Sequence, residues 1–353
     1  MALPEVGIDD IPAEELYHDP SWLLYCADTN LKKAYFVHLT REMYYQSCFL
    51  DPRMANQSAE LHSIRLPELE ATHSSSNRTP ANRFIFHTAF CCSSLLARSL
   101  DVPGETFAIR EPTILVQIAN AMRDQGNGIN REMADLLPLA LSLLNKPFGN
   151  ETAFIKPTNM VLNCVGKMLD LDRDSRGIIL YGELEDFIIS ALKRPRQSRV
   201  QIPDILRRFL ADPVGLEWQK QGHDAPSRLA EQAALVWYLE MRQIDGWLHG
   251  GHAKRLRTLS TDRLLSSPVE SLSSAARQLD LPLDQKQVQN IIDGPIWRTH
   301  SKTAEAYSPA KRSEEKQLAR SLFGSEISAG LAYREKLPEI GTIPPELDLF
   351  HDA

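Results

Sequence analysis

Several groups of residues have types and spacings suited to chemistry on an anionic substrate. The first is Thr88-Ala89-Phe90-Cys91-Cys92-Ser93-Ser94-Leu95, a turn that directly follows the apolar run Phe84-Ile85-Phe86-His87 and opens a helical pattern. Two hydroxyl residues at a helix start are good caps and leave backbone N–H groups open to an anion. This is the arrangement of a phosphate loop without the G-x-x-x-x-G-K-[ST] sequence, and it equally suits plain capping of a core helix. Glu111 and Lys156 each end an apolar run. A carboxylate at Glu111 can act as a general base, or sit favourably at a helix start with Pro112 in the first turn. Lys156 can meet a substrate anion or pair with Glu111, which would perturb both groups. His87 titrates near neutrality and so suits acid–base work, or else it packs at its strand end with its ring nitrogens on the backbone. Cys91 and Cys92 have no accompanying His/Cys cluster, so they read as small turn fillers and no metal is expected.

The elements that must position these residues follow from the pattern of apolar runs. Arg83–His87, Thr106–Ile109, Thr152–Ile155, Gly177–Tyr181 and, more weakly, Lys254–Leu259 read as five strands. Helical patterns fall between and after them, near 93–100, 112–124, 131–145, 159–169, 183–193, 228–248, 262–279 and 284–293. Buried apolar strands alternating with helices predict a doubly wound α/β domain with a mainly parallel five-stranded sheet of P-loop type. In such a sheet the ligand crevice lies at the carboxyl ends of the strands. The polar stretch 73–80 reads as a linker. It separates an N-terminal arm or small subdomain, 1–80, expected to be mostly helical with a helix or two in Leu31–Leu50, from the α/β domain at 81–325 and a tail at 326–353.

Composition bounds the function. The 353 residues carry 39 Lys+Arg and 46 Asp+Glu, a net charge of −7. That argues against a general coat for nucleic acid or anionic membrane. The excess is concentrated: residues 1–80 carry a net −6 and the remainder −1. A basic run, Lys193-Arg194-Pro195-Arg196-Gln197-Ser198-Arg199, lacks interleaved aromatics for base stacking and reads as a helix end. Five cysteines without a C-x-x-C pair, a start without signal-peptide features and no long apolar stretch predict a cytoplasmic protein.

An ordered set of segments resembles the sulfotransferase superfamily, especially its divergent bacterial members. Phe84 to Asp101 is similar to that family's phosphosulfate-binding loop. Ile109-Arg110-Glu111-Pro112, Phe154-Ile155-Lys156-Pro157-Thr158-Asn159 and Ile179 to Ser190 match its next strand ends. Leu259 to Pro268 and Trp297-Arg298-Thr299-His300-Ser301-Lys302 match its later stretch and closing basic loop. The resemblance implies sulfuryl transfer from PAPS, leaving PAP, to a hydroxyl or amine of a small-molecule acceptor. It assigns Cys91, Cys92, Ser93, Ser94 and Leu95 to the 5′-phosphate. Ser190 with Lys193 or Arg194, and His300, Ser301 and Lys302, are assigned to the 3′-phosphate. Glu111, Lys156 and His87 are the catalytic candidates. Phe90 and Gly182 stand where the family carries Lys and Arg. A second expectation is therefore a nucleotide-binding scaffold of the same fold without turnover. No nucleic-acid or membrane partner is expected, and a homodimer is an open option.

Overall fold

In the computed structural model the described residues are 11–51, 61–76, 81–123, 130–193, 201–299 and 309–340. Among the described residues there are eight strands: β1 (Trp22–Asp28), β2 (Lys33–His38), β3 (Leu61–Arg65), β4 (Arg83–His87), β5 (Thr106–Arg110), β6 (Thr152–Lys156), β7 (Arg176–Tyr181) and β8 (Leu256–Ser260). The last five form one sheet in the order β5-β6-β4-β7-β8, with parallel pairing between β4 and β6, β5 and β6, and β7 and β8. This is the expected α/β class. The strands are apolar on both faces: Phe84, Ile85, Phe86, Phe107, Ala108, Ile109, Phe154 and Ile155 are all buried. Runs of this kind satisfy a parallel sheet covered on each side by helices.

Strand order sets the position of the crevice. From β4 the chain moves to β5 at one edge, returns to β6 beside β4, and crosses to β7 on the other flank. The carboxyl end of β4 is thus the topological switch point, where open α/β sheets bind ligands. Helix boundaries follow local chemistry. Pro138 and Pro268 each occupy the first turn of a new helix, Leu137–Leu144 and Pro268–Gln278. Proline fits there because its missing N–H would be unpaired anyway, and each expected longer helix is accordingly two.

The N-terminal arm differs from expectation. It holds an antiparallel sheet, β1-β2-β3, with Lys33 to Val37 registered against Arg65 to Leu61. Within Leu31–Leu50 the stretch Lys-Ala-Tyr-Phe-Val-His is a strand, as its aromatic and β-branched content favours, and only Arg41–Gln46 is helical. The chain forms two compact units. One unit comprises 1–84 and 100–176, the other 85–99 and 177–353. In the second unit the helix Leu229–His249 packs against Leu184–Leu192, Gln201–Leu210 and the helical segment Pro309–Glu335, which is kinked at Phe323. A Cβ at Gly330 would fall 2.9 Å from the Ala230 carbonyl oxygen, so glycine lets these helices approach. No helix among the described residues is long and apolar enough to cross a membrane.

Candidate functional site

The candidate residues fall into two groups, one in each unit. In the second unit, residues 88–92 form a fastened loop at the end of β4. The Thr88 N–H donates to the Leu180 carbonyl at 2.9 Å, and its hydroxyl accepts from the Gly182 N–H at 3.3 Å. Thr261 Oγ1 lies 2.9 Å from the Cys91 carbonyl and 3.0 Å from that of Tyr181. The Ala89 N–H donates to the carboxylate of Glu240 at 3.1 and 3.3 Å. Phe90 packs edge-on against Phe187, and Trp237 Nε1 donates to the Gly182 carbonyl. Phe90 and Cys92 hold φ of 61° and 63°, a left-handed conformation that L-residues adopt at a cost of about 1–2 kcal/mol. The surrounding bonds offset that cost.

The loop delivers the chain into the helix Ser93–Ser99. Ser93 and Ser94 are buried, and among the described residues their hydroxyls and backbone N–H groups make no hydrogen bond. The first N–H groups of a helix have no intrahelical partner, which leaves them open to a cap or an anion. His87 is buried with Nδ1 2.7 Å from the Thr88 carbonyl, and the Cys91 thiol donates to the same oxygen at 3.0 Å. Cys92 is partly exposed and Leu95 is buried in the helix. Ser190 lies partly exposed on Leu184–Leu192, while Lys193 pairs with Glu315 at 2.5 Å. Arg194, His300, Ser301 and Lys302 lie outside the described residues.

In the first unit, Glu111 and Lys156 follow and end β5 and β6. These strands pair in register, Arg110 opposite Lys156. The Lys156 ammonium bonds the Glu111 carboxylate, and the Glu111 N–H donates to the Lys156 carbonyl at 2.7 Å. Lys156 is buried and Glu111 is partly exposed. Of the two sequence readings of Lys156, contact with a substrate anion and an ion pair with Glu111, the structure shows the ion pair. Glu111 has φ 54°. Beside it, buried Arg110 reaches the Tyr44 and Tyr45 carbonyls and pairs with Asp101, which Arg41 also holds at 2.6 Å. Burial pushes the Asp101 carboxyl up, and the two arginines pull it back.

Sequence reasoning missed Glu240, Asp101 and Arg110. Glu240 left a readable signal: it falls on the helical stripe Ala233, Val236, Glu240, Ile244, otherwise apolar and buried. A carboxylate on such a stripe needs a donor, and the donor here is an amide 151 residues away. Among the described residues no three His, Cys, Asp or Glu side chains group as a metal site requires.

Together these features define a doubly wound α/β protein with a preformed polar loop at its switch point and a carboxylate–ammonium pair at neighbouring strand ends. No family model matches the chain, and no curated protein matches it. Among solved structures it is similar to the sulfotransferase domain from the curacin biosynthetic pathway, at 14% identity and TM-score 0.39, covering 74% of this chain and 100% of that one. It is also similar to a sulfotransferase from Alicyclobacillus acidocaldarius (14%, 0.37, 74% and 98%). The sulfotransferase domain of the Synechococcus PCC 7002 olefin synthase is a third (14%, 0.36, 74% and 99%).

Proposed function

We propose that the chain is a sulfotransferase that moves a sulfuryl group from PAPS to a hydroxyl or amine of a small acceptor. One observation carries the reading. Five of the six sequence segments singled out for chemistry stand at the carboxyl ends of β4, β5, β6, β7 and β8, the edge where such sheets bind ligands. The unpaired hydroxyls and amides of Ser93 and Ser94 suit a phosphate, with Cys91, Cys92 and Leu95 shaping the turn around them. Ser190, Arg194, His300, Ser301 and Lys302 are assigned to a second phosphate; Lys193 would have to leave Glu315 to join them. When bound, PAPS supplies a sulfuryl group on a stable phosphate leaving group.

The chain's own residues then have separate tasks. Glu111 takes the proton of the acceptor hydroxyl or amine. Lys156 holds that carboxylate in place through their ion pair. His87, bonded to the Thr88 carbonyl, steadies the loop. A second reading, a nucleotide-binding scaffold, draws on Phe90, whose ring is committed to Phe187 at a position where a cation would neutralise the leaving group. Calorimetry with PAP and a labelled-PAPS transfer assay over an acceptor panel separate the two. Transfer supports the enzyme, PAP binding without transfer supports the scaffold, and neither result overturns both.

A further inference from the structure

The N-terminal segment is fastened to the strand end that presents Glu111. The Leu50 N–H donates to the Arg110 carbonyl at 2.8 Å, and the Leu50 carbonyl accepts from the Thr113 N–H at 3.3 Å. Leu50 thus bonds the backbone on both sides of Glu111. The Arg110 side chain points the same way, its Nη2 donating to the carbonyls of Tyr44 and Tyr45. Its charge is met by Asp101, which shares Arg41. Arg41 also reaches Glu151 at 2.9 Å and the Thr106 carbonyl at 2.9 Å, at the far end of β5. Tyr44 stacks edge-on with Phe107 and Phe148, which sets where its carbonyl lies. Between these fastenings Glu111 keeps its left-handed backbone, and that strained φ aims its carboxylate at Lys156. Such strain persists only where the surroundings over-determine it.

We infer that Arg41–Leu50, acting through Arg110 and Asp101, is a positioning element for the Glu111–Lys156 pair. Residues outside the α/β sheet are then part of the working site, and Arg110 and Arg41 are positioning residues. The inference rests on the reading that Glu111 serves as base, so its test needs one arm free of that reading.

Hydrogen exchange on the full chain provides that arm. Arg110→Lys keeps a charge opposite Asp101 and removes the guanidinium whose Nη2 holds the two carbonyls. The Leu50, Glu111 and Thr113 amides should then exchange about 10-fold faster together, a loss of roughly one hydrogen bond's protection. The Ala108 amide and those of β7 should be unchanged. Arg41→Lys, one step further away, should show the same pattern at smaller amplitude, and it serves where Arg110→Lys does not fold. No acceleration at these amides, or equal acceleration throughout, overturns the inference.

The second arm is kinetic. In the transfer assay Arg110→Lys should lower kcat by as much as about 100-fold with KM for the donor unchanged, the signature of a misplaced group. Combined with Glu111→Gln it should cost nothing further. An additive loss in the double variant overturns the positioning role. Absence of transfer in the wild type, with the exchange pattern as expected, overturns the enzyme reading and leaves the fastening of Glu111 in place.

Discussion

Replacing Lys156 by Met tests the arrangement at its most sensitive point. The Lys156 side chain is 1% exposed and that of Glu111 15%. At an effective dielectric near 20, two unit charges about 4 Å apart attract by about 4 kcal/mol. Removing one partner of a buried pair costs roughly 3–5 kcal/mol, because the remaining charge is left uncompensated. Partial exposure of Glu111 sets the expected loss near the lower end, about 3 kcal/mol. Methionine retains most of the lysine stem's volume, so the loss reports charge more than packing. Lys156→Met combined with Glu111→Gln should recover most of it, to within about 1 kcal/mol of wild type, since neutralising both partners is often nearly neutral. Urea unfolding followed by far-UV circular dichroism and by exchange of the β5 and β6 amides measures all three variants. A single-variant loss below about 1 kcal/mol, or additivity in the double variant, would refute the claim that these two charges are held together out of water.

Other outcomes follow from the loop. Glu240→Leu strands the Ala89 amide and should cost about 1–3 kcal/mol, whereas Glu240→Gln keeps an acceptor and should cost far less; thermal unfolding compares them. Ser93→Ala with Ser94→Ala should weaken PAP binding roughly 10- to 100-fold, as hydrogen bonds to a charged group predict, with the melting temperature nearly unchanged. Calorimetry reads the first and thermal unfolding the second. Burial pushes the Cys26 thiol up to about 11 from 9.0. The folded protein therefore holds this proton more tightly than the unfolded chain, and its contribution to stability is lost as pH rises from about 9 to about 11. At pH 8 alkylation of Cys26 should lag that of partly exposed Cys48 and Cys92, as peptide mass mapping would show.

How much of this was legible in sequence depended on the range of the interactions. The sheet strands were readable because Phe84-Ile85-Phe86 and Phe107-Ala108-Ile109 are apolar on consecutive positions, a local signal of two-sided burial. The end of each run located Glu111 and Lys156 within a residue. β2 was missed although its Ala34-Tyr35-Phe36-Val37 content favours a strand and it pairs with β1 across a short turn, because the charges around those aromatics were read as a helical pattern. Arg110 carried no signal of its own, because it turns inward to carbonyls 65 and 66 residues earlier. Ser93 and Ser94 were identified by type and spacing. The bonds that hold their loop come from Thr261 and Glu240, more than 150 residues downstream, and tertiary structure alone assembles them.

Phe90, Cys92 and Glu111 share one property with consequences for engineering this chain. Each holds a left-handed backbone that glycine adopts freely. Selection for heat resistance should therefore return Cys92→Gly early, since it relieves strain with little packing lost, and it lies a single base change away in the genetic code. The same exchange would let the turn before Ser93 sample other shapes, so the gain in melting temperature would come with weaker hold on a bound anion. Under the proposed function, thermostability and ligand grip are coupled through the same few backbone torsions, and improving one without the other requires substitutions elsewhere.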